Sequence, residues 1–168
     1  MGSGLERQVM NMGTESKEHL LTQQLFEQWR SQHSELEQFS MELHEWVHIQ
    51  TKQREAQFRE GVARLNELWN KLSNHFIQEQ ELGKQIALVQ ERSHPEADAM
   101  SRQSERDHTN IANRLRHLSD RMQEAEPEMD AWKSCTQELH LILDVLEQHE
   151  EQEAESVGWL LPSNSYNT

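Results

Sequence analysis

No proline occurs between Ser16 and Pro95, and within that stretch only Gly61 and Gly83 depart from a run rich in Glu, Gln, Leu, Arg and Lys. Those residues lose little side-chain freedom in a helix, whereas each glycine costs roughly 1 kcal/mol relative to alanine. Ser16 or Thr14 can cap the first amides, and acids in the first turn suit the helix dipole. The sequence therefore predicts one long helix over about 17–91, bent at most near a glycine. Residues 1–15 show no periodicity and are expected to form a flexible tail.

Apolar spacing predicts how such a helix is buried. Leu25, Trp29, Gln32, Leu36, Phe39, Leu43 and Trp46 alternate steps of four and three, the rhythm of a coiled-coil seam. The pattern fades through residues 48–57 and resumes one residue out of phase at Phe58, Val62, Leu65, Trp69, Leu72 and Phe76, then Leu82, Ile86 and Val89. A one-residue slip turns the seam by about 100° on a helix, so the two halves are expected to meet different partners. After SHPEAD at 93–98, Pro95 suits a helix first turn. The most regular seam follows: Ile111, Leu115, Leu118, Met122, Ala125, Met129, Trp132, Thr136, Leu139, Leu143 and Leu146. Pro127 interrupts it, as a kink or as the start of a third helix. The unbroken register favours near-collinear segments. The acidic HEEQEAES end and the tail 156–168, with Trp159, Leu160 and Leu161, close the chain.

Composition narrows the possible jobs. The 168 residues carry 30 acidic and 16 basic side chains, a net charge of −14, which opposes nucleic acid and anionic membrane as ligands. Only 34% of residues are hydrophobic, too few for a compact core of this length, so narrow helical seams are expected instead. No apolar run approaches the ~18 residues of a membrane span, and the N-terminus lacks a signal-peptide core. Met1-Gly2 is followed by Glu6 where a myristoylation signal needs Ser or Thr. The single Cys135 excludes a disulfide framework and fits a reducing compartment. An intracellular location is expected.

Few residues carry the pattern of a reaction. His44-Glu45-Trp46-Val47-His48 matches H-E-x-x-H, in which histidines one turn apart hold zinc and the glutamate polarises bound water. No His-x-x-Gly-x-x-His continuation follows, and Trp46 already belongs to a seam. Two histidines flanking a seam position are therefore the expectation, with His44 and His48 as a remote metal pair and a zinc hydrolase as a remote alternative. His140 and Asp144 have helical spacing without a third ligand, and the remaining histidines are expected at seam edges or in solvent. Glu150-Glu151 reads as a solvated face, and Cys135 lacks a neighbour to activate it. Neither catalytic residues nor a cofactor are predicted. Tryptophans at seam positions suit three- or four-helix packing, and Gln32, Gln50 and Thr136 are candidates for setting register.

Two families share segments with this chain. The opening LFEQWRSQHSELEQF, Gln80-Glu81-Leu82 with Ile86, SERDHTNIANRLRHLSDRM and LILDVLEQH at 141–149 together resemble the C-terminal coiled-coil domain of central-channel, sixty-two-kilodalton-type nucleoporins. That resemblance implies one long helix followed by shorter ones, anchoring a nuclear pore subcomplex at the nuclear envelope. Trp46 stands earlier than the family's second tryptophan, the final Trp-Ile motif is missing, and no Phe-Gly dipeptide occurs, so no permeability-barrier role is implied. GVARLNELWNKLSNHF at 61–76 and HPEADAM are similar to parts of a spectrin-type repeat, which implies a cytoplasmic cytoskeletal adaptor. Such repeats need a helix break about every thirty residues, and none is expected between 17 and 91.

The sequence as a whole predicts an all-α, elongated coiled coil or helical bundle over 16–155. A long helix folds back through 92–96 on one or two C-terminal helices over about 95–155. Its expected work is non-enzymatic scaffolding through homo- or hetero-oligomeric coiled-coil association with protein partners.

Overall fold

The computed structural model describes residues 3–89, 95–126 and 128–160, with side chains described over 17–88, 101–126 and 128–157. Four helices account for nearly all of it: α1 Ser3–Gln50, α2 Phe58–Val89, α3 Pro95–Glu124 and α4 Met129–Leu160. The all-α expectation holds, and no strand occurs among the described residues. None of the helices is long and apolar enough to cross a membrane.

The single helix expected over 17–91 is in fact two. α1 ends at Gln50 without glycine or proline. Its last turn tightens, with Lys52 N donating to Ile49 O and Gln53 N to Gln50 O, while Thr51 Oγ1 donates to His48 O. Residues 51–57 then leave the helix, and Gly61 N donating to Gln57 O opens α2. The physical reason lies in the seam slip. A continuous helix would point its two apolar faces about 100° apart, whereas a reversal at 51–57 turns both into one core. Residues 3–15, expected as a tail, continue α1 as helix.

α1 packs against α2 and α4, and α3 packs against the same two helices, giving a four-membered ring of neighbours. Side-chain pairs fix the directions. Near the 51–57 turn, Trp46 of α1 and Phe58 of α2 both meet Trp132 of α4 edge-to-face. Further along, His33 of α1 lies level with His75 of α2, and His108 of α3 with His149 of α4. Consecutive helices therefore run antiparallel. Between Glu124 and Met129 the chain is not helical, and α3 and α4 lie side by side. This corrects the near-collinear arrangement favoured by the register; Pro127 itself lies outside the described residues.

The core falls into two unequal apolar blocks. The larger contains Leu36, Phe39, Leu43, Trp46, Leu65, Leu72, Phe76, Ile111, Leu115, Leu118, Met122, Trp132, Leu139, Leu143 and Leu146, with Phe58, Val62 and Met129 half-buried against it. Gly61 sits at a close approach of α2 to side chains of α3 and α4. A Cβ there would lie 2.9 Å from Met122 Sδ and 3.3 Å from the Trp132 ring. The smaller block holds Trp29, Leu82, Ile86 and Val157, with Leu25 and Phe26 packed on it. One seam assignment fails: Trp69 is 41% exposed, and Leu68 is buried in its place. Val47, Leu68, Cys135 and Ile142 are also buried. In a four-helix ring each helix meets two neighbours, so the buried face is wider than an a/d seam.

Candidate functional site: a buried histidine–glutamate layer

Between the two apolar blocks the core turns polar. Each helix contributes: His33 from α1, His75 and Glu79 from α2, Ser104, Asp107 and His108 from α3, and His149, Glu150 and Glu153 from α4. The spacings explain the convergence. His75 with Glu79, Ser104 with His108, and His149 with Glu153 are i,i+4 pairs, stacked on one helix face. His75, His108, His149, Glu150 and Glu153 are all buried.

Two adjoining groups can be separated. In the first, Glu150 Oε2 lies 2.6 Å from His33 Nδ1 and 3.2 Å from His75 Nε2, and His75 Nε2 lies 3.2 Å from Glu153 Oε2. Trp29 Nε1 donates to Glu153 Oε1 at 3.2 Å, across from α1 to α4. Close as these approaches are, neither oxygen of Glu150 nor Nδ1 of His33 has a partner aligned for hydrogen bonding, and His75 Nδ1 also lacks one. In the second group, His108 Nε2 lies 2.7 Å from Glu79 Oε2, 2.9 Å from His149 Nε2 and 3.2 Å from Ser104 Oγ. Ser104 Oγ also donates to Glu79 Oε1. His149 Nδ1 faces Asp107 Oδ2 at 3.6 Å. Aromatic rings hold the imidazoles in place: Phe76 stacks on His108 at 3.6 Å and Trp29 on His33 at 4.9 Å.

Burial and mutual charge disturb the protonation of this layer. Burial alone would push His75 down, but its contacts with Glu150 and Glu153 outweigh it and raise the imidazole to about 10. Burial likewise favours a neutral Glu150, yet His33 and His75 overcome it and hold that carboxyl at about 2. For Glu153 burial prevails, reinforced by Glu79 and Glu150 and opposed by His75, and the carboxyl rises to about 8. The Glu79 carboxyl is held below its usual range, because His108, Glu153 and Ser104 outweigh its burial. Burial and the neighbouring His108 push His149 down.

This layer corrects the expectation of seam edges or solvent for His75, His108 and His149, and that of a solvated face for Glu150, whereas His19, His117 and His140 are exposed as expected. The i,i+4 pairs were visible in the sequence, but nothing in one dimension aligned residues 33, 75, 108 and 149. The H-E-x-x-H motif is not assembled into one site. His44 is half-buried and meets His140 edge-to-face at 5.1 Å, with Asp144 Oδ1 at 3.9 Å. His48 is exposed and contacts Lys52 Nζ at 2.8 Å. Asp144 thus finds a third neighbour from α1, in a group open to solvent. Cys135 is buried, which raises its thiol pKa. Gln50 and Thr136 are buried, and Gln32 is half-buried with Oε1 unpartnered.

Shallow depressions on the outside lie on single helices, one over Arg102, Arg106 and Asn113 and another over Arg30 and Ser34. Among the exposed apolar side chains are Leu20 and Leu21 on α1, at 57% and 44%. No family model, no curated protein and no solved structure matches the chain.

Proposed function

We propose that this chain is a non-enzymatic helical scaffold that recruits protein partners through the arm of α1 that outruns its own bundle. The seams that would otherwise demand partner helices are satisfied within the chain, so association falls to what the bundle leaves uncovered. The carrying observation is the length of α1, 48 residues against 30 to 32 for the other helices. With His33 level with His75, the end of α2 at Val89 comes level with about His19 at equal rise per residue. Leu20 and Leu21 face solvent where α1 leaves its neighbours. A helix without neighbours has little stability of its own and gains it by packing.

Within this reading, a nuclear pore anchor and a spectrin-like cytoskeletal adaptor are the two candidate settings. The objection to the latter was an unbroken helix over 17–91. The break at 51–57 leaves helices of 30 to 32 residues after it, which suits the repeat, while the 48-residue α1 followed by shorter helices suits the pore-type plan.

The test is Leu20→Glu with Leu21→Glu, followed by light scattering of the purified chain and cross-linking in its native source. Loss of association with helicity unchanged supports the scaffold. A chain that is monomeric alone and whose cross-linked neighbours are unaltered by the double variant overturns it.

A further inference from the structure

We propose that the buried layer is a binding site for two adjacent first-row divalent metal ions, one held by His33, His75, Glu150 and Glu153 and the other by Glu79, His108 and His149. Nothing in the scaffold reading requires it, and the two stand or fall separately.

The donor atoms of each group lie within 4.8 Å of one another. Ligands around a zinc-like ion sit about 2.0–2.2 Å from it, and hence about 3–3.5 Å from each other. Modest side-chain adjustments would therefore close each group on an ion. His75 Nε2 pairs with Glu153 Oε2 as a hydrogen bond, but other close contacts of the layer are not satisfied in this way. Both oxygens of Glu150 are buried with no aligned donor, although imidazole nitrogens approach to 2.6 and 3.2 Å. In the other group His108 Nε2 is shared among a carboxylate, a hydroxyl and a second imidazole nitrogen, yet one proton can serve only one of them. A cation between the groups would satisfy several lone pairs at once.

Charge points the same way. Three carboxylates inside a helical core are costly unless compensated. The donor set, four imidazoles and three carboxylates without thiolate, suits zinc, iron or manganese. Outer support is also present: Asp107 faces the far nitrogen of His149, and Trp29 Nε1 donates to Glu153. The first group has four protein donors, whereas the second has three and leaves a position open.

The experiment uses the full chain stripped with EDTA, dialysed against zinc and measured by elemental analysis, with cobalt as a spectroscopic probe. Two zinc ions per chain are expected, falling to one in His75→Ala and one in His149→Ala. Glu150→Gln, which keeps side-chain volume, should weaken the first ion at least tenfold while helicity and the thermal transition persist. His44→Ala with His140→Ala, at the solvent-open group, should change nothing. The proposal is overturned if zinc is not retained, if the parent binds one ion and both His75→Ala and His149→Ala abolish it, or if uptake follows His44 and His140 instead of His75 and Glu150.

Discussion

The two parts of the core solve the same burial problem with opposite chemistry. Around Trp132 the four helices meet through tryptophan, leucine and methionine, and Gly61 lets them come close enough for the rings to interlock. About four turns further along, the same helices meet through imidazole and carboxylate. The first region gains from every apolar atom removed from water. The second must recover the cost of desolvating charge through its internal contacts, and any one residue removed leaves the others stranded. One region is thus additive and tolerant of conditions, the other cooperative and dependent on protons or ions.

The comparison is broken most directly by Trp132→Ala, in the fully buried centre of the apolar block. A loss of about 4 kcal/mol is expected in urea unfolding; a loss below about 1 kcal/mol would mean the block is loosely packed. Next comes His75→Leu, expected to cost about 3 kcal/mol because Glu150 and Glu153 lose their shared partner. Adding Glu150→Leu and Glu153→Leu should return stability to within about 1 kcal/mol of the parent. If the triple variant is instead the least stable, the layer contributes by itself and the contrast fails.

Metal-stripped protein should show the contrast through pH. Glu153, raised to about 8 in the fold, costs stability as pH climbs from its unfolded value toward 8, and His75, raised to about 10, loses its contribution from about 6.5 upward. Glu150, held at about 2, loses its contribution as pH falls below about 4.5. Lowered His149 opposes the trend only below about 6.5, where rising pH up to its unfolded value favours the fold. The thermal midpoint should therefore fall between pH 5 and pH 9, and the triple leucine variant should flatten that slope. A parent slope as flat as the variant's would separate the layer from the stability of the fold.

Two surface changes give the smallest effects. Gly83→Ala, where a Cβ meets nothing within 4 Å, should stabilise α2 by up to about 1 kcal/mol in denaturant titration. Trp69→Ala should move stability by no more than about 0.5 kcal/mol, because the indole is exposed. A larger loss at Trp69 would restore it to the core, as its seam position suggests.

Most of the apolar block was legible because its residues repeat locally. From Ile111 to Leu146 the four-three rhythm named nearly every buried side chain on α3 and α4. Leu68 was missed, and Trp69 chosen in its place, because a two-helix seam is narrower than the face a ring of four helices buries. The layer was legible only in fragments. His75 with Glu79 and His149 with Glu153 look like ordinary solvent-facing pairs until the helices are folded together.

What the sequence determined by itself is therefore helix formation and the amphipathic faces, since propensity and periodicity act over a few residues. It even marked the place of the reversal, in the faded seam at 48–57 and the one-residue slip that follows. Tertiary structure alone decided that the chain turns at Gln50 rather than continuing, because only the return of α2 onto α1 brings both faces into a common core. It alone also set His33, His75, His108 and His149 at one level. Their nearness depends on the lengths of three connections and the direction of four helices, which no local pattern of residues encodes.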